Sequence, residues 1–154
     1  MKKTIKYILY LITPLVVGLI SSAFTSNYRD FYKTLIKPSL APPGYLFGIV
    51  WTILFILIGI SYFLLKLKTE DIEISEIDFW YYLQLIINFF WSIFFFKSEA
   101  LTFSFIWIVF LFISVVITFL KFYKVNKLSA YLLIPYILWI VFAGYLNLSI
   151  AILN

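Results

Sequence analysis

Histidine and cysteine are both absent from this chain of 154 residues. Their absence removes disulfides, thiolate nucleophiles, imidazole bases and most transition-metal or haem axial ligands. Charge is also scarce. Only 12% of the residues are charged, against roughly 25% in a soluble domain. What fills the space is apolar, 64% hydrophobic and 23% aromatic, more than a water-soluble protein of this size can bury. The net charge of +5 admits a nucleic-acid or lipid partner, and the positions of the charges decide for lipid and against nucleic acid.

The charges leave five charge-free stretches, 7–28, 38–65, 79–96, 100–120 and 128–154. Each is long enough for a helix rising 1.5 Å per residue to cross about 30 Å of hydrocarbon. The pattern predicts an all-α integral membrane bundle of five transmembrane helices in a single domain, 1–154. The expected spans are 7–26, 44–65, 79–96, 100–120 and 128–152. Barrel strands would be about half as long and would alternate in polarity; "WIVFLFISVVITFL" does not. The first span also has the basic start and the small "SSA" site of a secretory signal peptide. Its apolar run from Tyr7 to Phe24 exceeds a signal core and four spans follow, which favours a membrane helix.

Eight lysines fall on the side of the amino terminus (Lys2, Lys3, Lys6, Lys66, Lys68, Lys121, Lys124 and Lys127). Arg29, Lys33, Lys37 and Lys97 fall on the other. The excess predicts a cytoplasmic amino terminus and an outside carboxyl terminus, in a bacterial or archaeal cell membrane. "KLKTEDIEISEID" reads as an acidic, solvated connection, "KFYKVNK" as a short loop and "KSE" as a tight turn. The loop 27–43 differs, because Tyr28, Phe31, Tyr32 and Leu35 share one helical face. It is expected to lie on the bundle as a lid.

Three helices carry stripes. In "KPSLAPPGYLFGIVWT", Pro42 and Pro43 fix where a helix starts, and Gly44, Gly48, Trp51, Phe55 and Gly59 then stack on one face. Trp80, Gln84, Asn88, Trp91 and Phe95 form the second stripe; Pro135, Trp139, Ala143 and Asn147 form the third. Gln84, Asn88 and Asn147 must point inward, since an amide facing lipid loses its hydrogen bonds. They either hold helices together, at roughly 0.6 kcal/mol per bond, or line an apolar pocket with a few orienting polar groups. The three stripes together favour the pocket. The Gly44 and Gly48 spacing in "GYLFG" is expected to serve close helix packing within one chain.

"FYKTLIKPSLAPPGYLFGIVWTILFILIG", "YYLQLIINFFWSIFFF" and "LLIPYILWIVFAGYLNLSIAILN" resemble, in order and over nearly the whole chain, the tryptophan-rich sensory protein and translocator protein family. This family is also called TspO or the peripheral benzodiazepine receptor family. The resemblance implies a five-helix bundle with a cavity roofed by the first long loop, binding protoporphyrin IX, haem and benzodiazepine-site ligands. It also implies a homodimer and, in some bacterial members, light-dependent porphyrin breakdown. Carried over by position, it places Trp51, Asn88, Trp139 and Ala143 at the cavity wall, with Phe94 and Asn147 nearby. Tyr32 falls in the roof, and Pro42 and Pro43 at the entrance. Gly48 and Trp91 join the ligand-binding set from their stripes, and Trp51 and Trp139 are the photochemical candidates. Leu40 departs from the aromatic residue common in the family, and no Lys or Arg follows Lys127, so the basic cholesterol-recognition pattern is missing.

Four functional classes follow. The first is a tetrapyrrole receptor or sensor needing no resident cofactor and no metal, with the porphyrin or haem as its ligand and the lipid bilayer as its surroundings. The second is a transporter of such a ligand, for which ion coupling would need ionisable residues inside the spans, and the charge-free stretches have none. The third is an enzyme, which without carboxylate, lysine or histidine in the pocket reduces to photochemistry. The fourth is a structural bundle without a ligand.

Overall fold

The computed structural model describes residues 2–69 and 75–154. In chain order the helices are α1 (Lys2–Phe24), α2 (Tyr28–Thr34), α3 (Gly44–Lys68) and α4 (Ser75–Ser92), the last running on into a π-helical turn, Ile93–Lys97. Then come α5 (Leu101–Val125), α6 (Lys127–Tyr131) and α7 (Ile134–Leu153). Among the described residues five helical segments are long and apolar enough to cross a membrane, with α6 and α7 forming the fifth. They close into a ring in which α1 packs on α3 and α4, α5 on α4 and α7, and α3 meets α6 and α7.

The helices outrun the expected spans because charged residues ride inside their ends. Long lysine stems cover apolar surface while the head reaches polar groups. α3 continues through Lys66 and Lys68, and α5 through Lys121 and Lys124. The expected loop "KFYKVNK" thereby shrinks to Asn126, whose side-chain oxygen accepts from the Leu128 and Ser129 amides at the start of α6. Lys66 corrects the expectation that the spans carry no ionisable group. It is only 3% exposed, paired with Asp78 at 2.7 Å, and Tyr62 donates to the same carboxylate at 2.7 Å. The middle of the acidic connection, residues 70–74, lies outside the described residues.

Two glycines set how closely α1 and α3 approach. A Cβ on Gly59 would overlap the Leu11 carbonyl, and one on Gly18 would meet the Phe55 ring. Gly44 and Gly48, expected to serve the cavity or close packing within one chain, lie under α2, and Gly48 also lines the cavity. Their nearest neighbours are the Tyr32 ring and the Tyr28 hydroxyl, because the helix begins under α2 before it meets another span. The lid itself follows its sequence pattern, with Tyr32 and Leu35 buried. Lys37 donates to the Tyr32 and Leu35 carbonyls at 2.9 and 2.8 Å, closing the end of α2. The Asn154 amide grips Ile36 from both sides, accepting from its N–H and donating to its carbonyl, each at 2.9 Å.

Candidate functional site

An apolar cavity of about 310 Å³ lies below the lid, between α1, α3 and α4. From α3 come Phe47, Gly48, Trp51 and Phe55, the stripe that Pro43 sets in phase by starting the helix. From α4 come Asn88 and Ser92, followed by Phe96 on the π-helical turn. From α1 come Gly18 and Ser22, and from the turn after it Thr25. No Asp, Glu, Lys or Arg side chain lines it, so a ligand there meets aromatic faces, small hydroxyls, the Tyr28 phenol and one amide. That is the composition of an apolar small-molecule site.

Trp51 forms the inner wall. Its ring stacks on Phe55 at 5.6 Å and approaches Trp91 at 5.9 Å and Tyr136 at 6.0 Å. Asn88 lines the cavity and also donates to the Tyr136 hydroxyl at 2.9 Å, which in turn donates to Gln84 at 3.0 Å. One amide therefore serves both roles that the sequence left open, while Gln84 only holds helices together.

The other candidate residues lie in a shell around this cavity. Trp91 is buried and donates its indole N–H to Asn147 at 3.1 Å; Asn147 donates onward to the Leu101 carbonyl at 2.8 Å. Both hold α4, α5 and α7 together behind Trp51. Ala143 is buried on α7. Tyr32 roofs the site, donating to the Pro42 carbonyl at 3.0 Å and meeting Phe47 edge-on at 5.1 Å. Burial raises its phenol pKa, which keeps it a donor. Pro42 and Pro43 shape the corner from lid to α3, and Pro43 caps that helix. Trp139 stands behind Phe47, 6.0 Å away, with a buried indole N–H that has no acceptor among the described residues.

Phe94 is not brought to the cavity. It packs toward α5, 4.9 Å from Phe103 and 5.0 Å from Trp107. The cavity stripe on α4 is Asn88, Ser92 and Phe96, spaced by four. The expected stripe shares Asn88 with it and then diverges to Trp91 and Phe95, a stacked pair at 5.7 Å. The α1 wall was also missed. Its signal was the run of small hydroxyl residues near the helix end, read as a cleavage-site pattern.

Residues 10–153 match the model of the TspO/MBR family. The tryptophan-rich protein TspO of Chlorobaculum tepidum is 40% identical over 146 residues, covering 91% of this chain and 90% of that protein. Its namesake from Archaeoglobus fulgidus is 34% identical over 151 residues, with 97% of each chain covered. The human translocator protein is 30% identical over 119 residues, or 76% of this chain and 70% of that one. A match that runs through all five spans, with Trp51 and Asn88 lining one cavity, makes this chain a member of the TspO/MBR family.

Proposed function

We propose that this protein is a membrane receptor that binds tetrapyrroles such as protoporphyrin IX or haem, and flat benzodiazepine-site ligands, under its lid. The observation that carries the reading is the charge-free cavity walled by Trp51, Phe47, Phe55 and Phe96. Flat conjugated ligands pack on such faces, each well-placed ring pair adding about 0.5–1.5 kcal/mol beyond buried area. At about 310 Å³ the cavity is at the small end of ligand sites, which run from roughly 300 to 1,000 Å³. A macrocycle therefore has to displace a wall. Phe47 is the side chain that both lines the cavity and contacts Trp139, so its displacement would join the two indoles and offer the orphan N–H to a ligand acceptor. In this reading the lid faces the outside and two copies pair in the membrane, which native mass spectrometry in detergent would detect.

The test is titration with protoporphyrin IX in the dark, following tryptophan quenching, beside the Trp51→Phe, Trp139→Phe double variant. Saturable binding is expected in the native protein, weakened about tenfold in the variant as roughly 1.4 kcal/mol of ring contact is lost. Unsaturable uptake, or equal uptake by both, overturns the reading. A second reading, light-dependent porphyrin breakdown, is favoured by the cluster of oxidisable rings, with Trp51 at 5.9 Å from Trp91 and 6.0 Å from Tyr136. Porphyrin absorbance should then bleach faster under light with the native protein than with the double variant. Ion-coupled transport gains no support from a cavity without Asp, Glu, Lys or Arg side chains.

A further inference from the structure

A second recess, of about 900 Å³, adjoins the apolar cavity at the lid end of the bundle, between the end of α1, α2 and the π-helical turn. The two share Thr25 and Phe96, which stand between them. Their chemistry is opposite. Ser26, Asn27, Asp30, Lys97 and Glu99 face the outer recess, whereas the inner one has no charged lining.

The charges of the outer recess are not spent on each other. Asp30 is answered by Lys33 at 3.2 Å. Lys97 makes no ion pair among the described residues and rests its ammonium over the Phe24 ring, 5.1 Å from the centroid. Glu99 also makes none, and it is held in the left-handed region at φ 53°. Its carbonyl accepts from the Leu101 amide at 3.0 Å. One cation and one anion therefore stand two residues apart where the spans end, at headgroup height, beside an apolar room.

We propose that the two recesses form one site for an aminophospholipid. Its phosphate would sit at Lys97, its ammonium at Glu99, and one acyl chain would pass Thr25 and Phe96 to lie against Trp51. The charges favour this occupant over its rivals. A fatty acid or phosphatidylglycerol would use Lys97 with its single negative charge but bring no cation to Glu99, leaving that carboxylate and Asp30 facing a head with no positive charge. A quaternary ammonium head cannot donate a hydrogen bond to a carboxylate, whereas a primary ammonium has three N–H donors to offer. The proposal does not rest on tetrapyrrole binding, and the two ligands would compete for the inner room.

The experiment uses the full chain in nanodiscs of equal phosphatidylethanolamine, phosphatidylglycerol and phosphatidylcholine, followed by detergent release and native mass spectrometry of the lipid retained. Phosphatidylethanolamine is expected to be retained about tenfold over either competitor, the order of one charge-assisted hydrogen bond. Lys97→Ala and Glu99→Gln should each abolish the preference. Glu99→Gly, which removes the carboxylate and relaxes the backbone, should do the same without loss of thermal stability. For the tail, phosphatidylethanolamine with brominated acyl chains should quench tryptophan emission in the native protein and quench it less in Trp51→Phe. Retention that favours phosphatidylglycerol or phosphatidylcholine, or a preference unchanged in the variants, overturns the headgroup site. Quenching that is equal in native and Trp51→Phe protein overturns the passage of the chain into the cavity.

Discussion

The two ends of the bundle are built on opposite terms. At the end away from the lid, aromatic and polar groups are packed against one another. Tyr62 and Tyr81 stack at 3.7 Å and 8°, with Phe122 beside both. Lys66 and Asp78 form a buried pair, and Ser61 and Ser129 each donate to the other's backbone carbonyl. At the lid end, rings of the same kinds enclose two recesses; among the described residues each region holds one buried polar group without a partner, the Tyr81 hydroxyl in the packed cluster and the Trp139 N–H beside Phe47. An unsatisfied buried donor costs roughly 1–3 kcal/mol. The packed end offsets that cost with a buried ion pair and stacked rings, whereas the lid end keeps open recesses, so stability and binding are spatially divided.

Substitutions at each end can break that division. The largest effect is expected from Asp78→Ala, which takes from Lys66 its carboxylate and from Tyr62 its acceptor. Removing one partner of a buried pair costs about 3–5 kcal/mol. Thermal unfolding in detergent should show the loss, while the fraction still folded keeps its ligand affinity. Gly59→Ala comes next. The new methyl meets the Leu11 backbone, which has no rotamer to give, and the expected cost is about 1–3 kcal/mol, read in the same melt. The smallest change in stability is expected from Asn154→Ala, which removes two partly solvated hydrogen bonds to Ile36, each worth about 0.5–1.5 kcal/mol at most. Its effect should appear in stopped-flow quenching as faster ligand entry and release. A ligand off-rate altered by Asp78→Ala but not by Asn154→Ala would show that the two ends are not separable.

Charge-free runs and helical periodicity made the five spans and the amphipathic lid legible, because both depend only on what each residue must do in hydrocarbon or at its edge. Trp51, Gly48 and Asn88 were legible for the same reason, lying on regular faces of regular helices. What stayed hidden depends on contact between distant segments. Lys66 looked like a loop residue until Asp78, twelve positions later, is seen beside it. Phe47 carries no mark in its own helix that tells a wall from ordinary packing. At the end of α1, Ser22 and Thr25 are too small to stand out, and smallness is what a cavity wall needs.

The π-helical turn beneath the lid has a mechanical meaning. The Ser98 amide reaches back five residues to the Ile93 carbonyl, and the Ala100 amide six residues to Phe94, so this helix end holds one residue more than regular winding requires. At 3.6 residues per turn, each residue of register is worth about 100° of rotation. Taking up that slack would swing Phe96 away from its position between the polar and apolar rooms while α4 above it kept its place. The direction in which Phe96 points between the two rooms is thus wound into the backbone.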